Sequence, residues 1–329
     1  NMEKYLANGI FRKLAPGIVL TERTTRYTEE KRYGVVLAVD LEEYSFASKS
    51  EADIRASEAT VPERIPPRVK IRQGAKLELP HVMLLYNAKE EDVLGEAIAK
   101  SAQGGLEELY DFELNRDGGH LRGWFLPQEQ AEKITENLYA ATGEGKMLFA
   151  VGDGNHSLAT AKTCWEEIKK TLSEEEQKTH PARYALCEAV SIYSPALTFE
   201  PIYRFVAGGN AASSAELIAA AQEKIPCKSE KKGNLLSFIG EYNVPRLLRA
   251  LDGVIAEHIK NFGGTVDYVH GKEELAALVE KTGGVGFLTS AISKDAFFAS
   301  VEADGALPRK TFSMGEGEEK RYYTECKEI

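Results

Sequence analysis

Apolar residues in this chain recur with two different periods, and the switches between them mark out the elements. Ile18 to Glu22 and Val35 to Leu41 are short, mostly apolar runs that predict strands, the second of the kind buried on both faces. His81 to Tyr86 predicts another strand and Asp92 to Lys100 a short helix. Leu106 to Leu114 and His120 to Phe125 flank Asp117-Gly118-Gly119, the signature of a hairpin. A helix is predicted from Gln128 to Ala141. Met147 to Val151 is then an unbroken apolar strand that stops at a glycine loop. The helix after that loop runs to about Lys170, with Leu158, Ala161, Trp165 and Ile168 along one apolar face.

Regularity fades between Tyr44 and Pro80, where Pro62, Pro66 and Pro67 remove amide donors and predict an ordered loop. Ser173 to His180 is polar, Tyr184 to Tyr193 predicts a strand, and Ser194-Pro195 breaks the chain. Beyond Phe199, strand and helix patterns alternate: Ile202 to Val206, Ala211 to Glu223, Val244 to Phe262, Val266 to Val269, Glu273 to Lys281, Val285 to Leu288 and Lys294 to Val301. Such alternation is that of an α/β lobe. Two lobes are expected, residues 1–195 and 196–329. The opening residues Met2, Tyr5 and Leu6 have the spacing of a helix tail, so a natural extension is expected before Asn1.

Composition narrows the function classes. With 43% hydrophobic and 28% charged residues, the 329-residue chain has the make-up of a globular protein with a large core. A formal charge of −10 opposes binding of the whole chain to nucleic acid. No apolar run approaches the roughly 20 residues that span a bilayer, and no secretory pattern opens the chain, so the cytoplasm is expected. The four cysteines lie far apart with no C-x-x-C pair, and the six histidines form no H-E-x-x-H, which removes a zinc knuckle, a disulfide framework and a helix-borne metalloprotease site.

The densest concentration of chemistry is Gly152-Asp153-Gly154-Asn155-His156-Ser157, between the strand and the helix. Two glycines admit backbone conformations closed to other residues, and the first helical turn presents unpaired N–H groups, a combination suited to a phosphate or carboxylate. Asp153 is a candidate metal ligand or base, His156 exchanges protons near neutrality, and Asn155 and Ser157 can bond to ligand. The structural alternative is that Asn155 or Ser157 caps the helix and Asp153 stabilises the turn. A dinucleotide fingerprint fits poorly, because Ser157 stands where the third glycine belongs.

Two basic segments add to this. Arg55, Arg64, Arg68 and Arg72 punctuate the proline-stiffened stretch from Ile54 to Arg72, where they would clamp phosphates or carboxylates, with Glu58 available as a base or metal ligand. A surface salt-bridge network, or packing between the lobes, explains the same arginines without a ligand. Arg309 and Lys310 form a smaller island that reads alone as a solvated turn.

These segments resemble a family of bacterial and archaeal proteins of unknown function, DUF1015. The resemblance rests on Ile54 to Thr60 and Glu63 to Arg68, Leu79 to Met83, Gly118-Gly119-His120, Phe149 to Ala161, Phe199-Glu200-Pro201-Ile202-Tyr203-Arg204, and Leu307 to Thr311. Many relatives read Asp-Gly-His-His-Arg where this chain has Asp153-Gly154-Asn155-His156-Ser157. That form is similar to the phosphate-contact motif of the ParB and sulfiredoxin-like superfamily, which includes partition proteins, sulfiredoxins and kinases of free serine. Ser157 replaces its arginine, so a charge on phosphate would come from Arg64, Arg68 or Lys310.

The resemblance implies an α/β fold (or an α+β variant of it), with a mixed-sheet ParB/sulfiredoxin-like core followed by a second α/β lobe. It implies ATP or ADP with Mg²⁺, and a small-molecule kinase or nucleotide hydrolase. Asp153, His156 and Glu58 would then be catalytic, Asp153 also the metal ligand. Gly152, Gly154, Asn155, Ser157, Thr60, Arg55, Arg64, Arg68, Arg309 and Lys310 would hold the nucleotide. The alternative expectation is a non-catalytic sensor or scaffold with a degenerate nucleotide site. The expected partner is a small molecule or nucleotide, with neither nucleic acid nor membrane.

Overall fold

A computed structural model describes residues 2–79, 82–143, 145–208, 211–315, 319 and 324–329. The chain divides into two compact units, one of Asn1–Thr198, Val301–Ala306 and Glu316–Ile329, the other of Phe199–Ser300 and Leu307–Gly315. Both are mixed α/β structures.

The first unit begins with α1 (Met2–Ala7), β1 (Gly17–Thr25), β2 (Thr28–Asp40), β3 (Tyr44–Ser45) and β4 (Ile54–Ala56). There follow α2 (Ile65–Arg72), β5 (Leu77–Glu78), β6 (Met83–Tyr86), α3 (Glu90–Ala102), β7 (Glu107–Glu113) and β8 (His120–Pro127). It continues with α4 (Gln128–Thr142), β9 (Phe149–Asp153), α5 (Asn155–Ile168), α6 (Glu174–Thr179) and β10 (Tyr184–Ser191). Among the described residues, nine of these strands form one sheet in the order β3-β4-β9-β6-β10-β2-β1-β8-β7. Pro80 and His81, the latter at the head of the predicted β6, lie outside the described residues.

Register explains how this sheet makes a core. Val151, Leu84, Ala189, Val35, Leu20 and Trp124 are successive cross-strand partners, so they line one face in a single row. Each is at most 3% exposed, and Leu94 of α3, Leu138 of α4 and Leu158 and Trp165 of α5 pack over them. The predicted apolar face of α5 is therefore the face that docks. Burying an aromatic this fully is worth about 3–5 kcal/mol against alanine at the same position. Trp165 also donates its indole N–H to Glu42.

The expected loop between Tyr44 and Pro80 instead carries three short strands, β3, β4 and β5, and the two-turn helix α2, which packs on α5. Pro66 and Pro67 fall in the first turn of α2, where amide donors have no intrahelical acceptor, so they start the helix instead of breaking it. Cys164 and Cys187 are buried free thiols, and burial pushes both above the ordinary thiol range.

The second unit contains β11 (Phe199–Ala207), α7 (Ala211–Lys224), β12 (Ser229–Lys232), β13 (Leu235–Phe238), α8 (Val244–Phe262), β14 (Thr265–His270) and α9 (Lys272–Thr282). After β15 (Val285–Leu288) come α10 (Lys294–Asp304), whose last turn belongs to the first unit, and β16 (Phe312–Met314). Its sheet runs β12-β13-β15-β11-β14 with β16 on β11, and β13 and β15 are parallel neighbours. The last strand, β17 (Lys327–Glu328), pairs with β5 in the first unit. Among the described residues no helix is long and apolar enough to cross a membrane.

Candidate functional site

The strand before the loop is irregular where chemistry was expected. Leu84 faces Val151 and Met83 faces Asp153, so Gly152 is an extra residue bulged out of β9. Gly154 follows with φ of 91° and ψ of 21°, a left-handed conformation that a side chain would strain. These two glycines turn the chain straight from strand into helix.

Gly154 is itself the N-cap of α5, and no side chain caps that helix. The expectation that Asn155 or Ser157 serves as the cap is thereby corrected: both lie inside the first turn, and the Ser157 amide instead bonds the Gly154 carbonyl at 2.8 Å. Leading amides of a helix need an acceptor from outside, and here none comes from a cap. All six residues from Gly152 to Ser157 are partly exposed, so the corner is open.

The segment Ser57–Val61, which leaves the end of β4, lies beside this helix start because β4 pairs in parallel with β9. Val61 donates its amide to His156 Nε2 at 3.1 Å, Asn155 Nδ2 lies 3.5 Å from Ser57 Oγ, and Ser57 Oγ bonds the Val151 carbonyl. An Nε2 that accepts an amide proton is unprotonated, so His156 is in its neutral Nδ1–H form in this arrangement. Asp153 Oδ1 accepts the amide of Gly154 at 2.8 Å, which tightens the corner. At this corner, among the described residues, two polar atoms are buried without a hydrogen-bond partner: Thr60 Oγ1 and Asn155 Oδ1.

The predicted residues thus fall into groups. Glu58, Thr60 and Asp153 to Ser157 come together through the β4–β9 pairing. Arg55 pairs with Ala150 on the same strand edge and bonds the Ala52 carbonyl through Nε. Arg64 and Arg68 are exposed at the start of α2, where Arg68 donates to the Arg64 carbonyl. Arg72 is held in an ion pair with buried Glu78. Arg309 and Lys310 belong to the second unit, and their carbonyls are gripped by fully buried Arg204, which also pairs with Asp252 at 2.9 Å. Among the described residues no group of three or more His, Cys, Asp or Glu side chains is placed to hold a metal.

Sequence reasoning missed a set of buried polar residues. Met83 pairs with both Asp153 and Glu188, so the Asp153 side chain shares the sheet face opposite the helices with Glu188. Glu188 is 5% exposed, accepts from Thr21 Oγ1 at 2.9 Å and lies 3.7 Å from Arg32. Gly34 makes room for it: a Cβ there would sit 3.1 Å from the Glu188 carboxylate. The only signal in the sequence is a polar residue inside a predicted strand.

The model of one family, described as a protein of unknown function (DUF1015), matches residues 1–280. The chain belongs to the DUF1015 family. No curated protein matches it significantly. Among solved structures, a conserved hypothetical protein from Pyrococcus furiosus is similar at 10% identity and a TM-score of 0.42, over 89% of this chain and 94% of that one. A variant of a free serine kinase in complex with AMP has 10% identity and a TM-score of 0.43, over 85% and 87%. A C-terminally truncated SbnI from Staphylococcus aureus has 8% identity and a TM-score of 0.42, over 86% and 83%. Likeness at this level assigns no chemistry. Within this DUF1015 chain, Arg204 shows why two distant motifs belong together, since Phe199–Arg204 and Leu307–Thr311 are joined by its bonds and by the pairing of β11 with β16.

Proposed function

We propose that this protein binds a nucleotide with its phosphates at the start of α5, in the manner of the ParB and sulfiredoxin-like phosphate-contact motif. The observation that carries the reading is the pair of unpartnered atoms beside the uncapped helix. Buried polar atoms are nearly always bonded, so each marks a place for a partner. Thr60 has a hydroxyl proton to give and Asn155 Oδ1 needs a donor. A bare anion satisfies the first only, whereas a nucleotide brings phosphate oxygens and ribose hydroxyls together.

Phosphoryl transfer to a small metabolite is the reaction we propose for the site. Asp153 offers one carboxylate, which suits Mg²⁺, an ion usually held by one or two carboxylates together with phosphates and water. When bound, Mg²⁺ would neutralise charge on the transferring phosphoryl group. Glu58 is the base in this scheme, and Arg64 and Arg68 take the place of the superfamily arginine that Ser157 lacks. A second reading, a non-catalytic nucleotide sensor, draws support from the structural duties of the same groups: His156 Nε2 holds Val61, and Asp153 Oδ1 holds Gly154.

Incubation of the full chain with ATP, Mg²⁺ and a metabolite pool separates the two. Consumption of ATP that is lost in Asp153→Ala supports transfer. Thermal stabilisation by ADP without consumption supports the sensor, and neither response rejects nucleotide binding altogether.

A further inference from the structure

The chain contains four Asp–Gly steps, at Asp117, Asp153, Asp252 and Asp304. All four share one local chemistry. With no side chain on the glycine, its amide nitrogen can reach the preceding carboxyl carbon and close a succinimide ring. What separates the four in the fold is where each glycine amide is held.

Gly118 donates its amide to the Asn115 carbonyl at 3.1 Å, and Gly305 donates to the Val301 carbonyl at 3.0 Å. Gly253 lies inside α8, where its amide belongs to the helical ladder. In these three steps the nitrogen is tied to the carbonyl of a distant residue. Gly154 instead donates to Oδ1 of Asp153 itself, at 2.8 Å. That contact holds the nitrogen against the carboxyl group it would attack, and such prior placement is what makes an intramolecular step fast. The bulge at Gly152 and the left-handed φ of 91° at Gly154 build the corner, and all its residues are partly exposed, so water reaches it.

We infer that Asp153 is a self-modification site, which converts to isoaspartate through a succinimide with Gly154 ahead of the other three Asp–Gly steps. The Gly154 nitrogen bonds to Cγ of the protonated Asp153 carboxyl, and the amide proton leaves with the carboxyl hydroxyl as water. A second water then opens the ring. Attack at Cγ restores aspartate, whereas attack at the original main-chain carbonyl breaks its bond to the Gly154 nitrogen and leaves isoaspartate. The main chain then runs through Cβ and Cγ of residue 153, one carbon longer, and the carboxylate sits on Cα. The Oδ1 bond that tightens the corner is lost with it. This chemistry is independent of what the corner binds, and it ages the chain first at its candidate site.

The test incubates the full chain for weeks in mildly acidic buffer, digests it with trypsin and follows isoaspartate by chromatography and mass spectrometry. Asp153 is the single aspartate of the tryptic peptide Met147–Lys162. Isomerisation there leaves the mass unchanged, whereas deamidation of Asn155 in the same peptide raises it. Isoaspartate should form at Asp153 about fivefold or more faster than at Asp117, Asp252 or Asp304, the rate equivalent of the roughly 1 kcal/mol hydrogen bond that holds each of their glycine amides away. In concentrated urea the four steps should converge to within about twofold, because the folded geometry that distinguishes them is gone. The urea arm needs no variant that must fold. Isomerisation at Asp153 no faster than at the other steps in the folded chain, or a lead that persists unchanged in urea, would overturn the inference.

Discussion

Val61 donates its backbone N–H to Nε2 of His156 at 3.1 Å, and this bond, together with the Asn155–Ser57 contact, ties the segment carrying Glu58 and Thr60 to the first turn of α5. Local sequence places His156 at a helix start, and only the β4–β9 pairing brings Val61 to it. His156 is therefore assigned a positioning duty as well as its expected place beside phosphate.

Removal of that bond should loosen the site more than the fold. His156→Ala is expected to lower stability by about 1 kcal/mol, the net worth of one hydrogen bond. It should weaken ADP binding at the same time, because Thr60 loses its fixed position. Urea unfolding and calorimetric titration measure the two effects, and unchanged ADP affinity in a destabilised variant would remove His156 from the site.

Gly154 tests the corner itself. At φ of 91°, Gly154→Ala should cost about 1–2 kcal/mol through left-handed strain. Gly152→Ala, at the bulge, isolates the effect of the extra residue from that of the positive φ. Equal stability of Gly154→Ala and the parent in urea would show that the corner is not held as described.

The site and the core were legible in the sequence to different degrees. Met147 to Val151 is an unbroken apolar run followed by two glycines, so the strand, corner and helix were readable locally, and the Leu158–Ala161–Trp165 stripe identified the docked face. α2 is not legible, because Pro66 and Pro67 read locally as breakers and only their place in a first turn makes them helix starters. The hairpin of β12 and β13 went unseen because Ser229–Lys232 is polar throughout, and its partner is only four residues long. Glu188 and Arg204 were illegible as buried residues, since their partners Thr21 and Asp252 lie far away in the chain.

Ser157 occupies the position that the phosphate-contact motif proposed for this site fills with arginine. Ser157→Arg should raise ADP affinity about tenfold, equivalent to about 1.4 kcal/mol, and the gain should shrink with added salt. Isothermal titration at low and high ionic strength checks both. A loss of affinity would mean that phosphate does not lie over the first turn of α5.

Acid should weaken the first unit through Asp40. Burial opposes ionisation of this carboxyl, but hydrogen bonds from Arg183 and from the Glu42 amide outweigh it and hold the group below its ordinary range. A depressed folded-state value contributes stability that is complete above the unfolded value of about 3.9 and disappears as pH falls through the folded one. Denaturation midpoints between neutral pH and pH 3 should fall more steeply for the parent than for Asp40→Asn. Parallel curves would deny the pair a role in acid sensitivity.

The most direct measurement is an ADP titration of the ¹⁵N-labelled full chain followed by amide chemical shifts. Saturable shifts centred on Asn155, His156 and Ser157, with Thr60 among the responders, are the expected result. Saturable ADP binding that leaves those amides unmoved, or no binding at millimolar ADP, would contradict a phosphate seat at the start of α5.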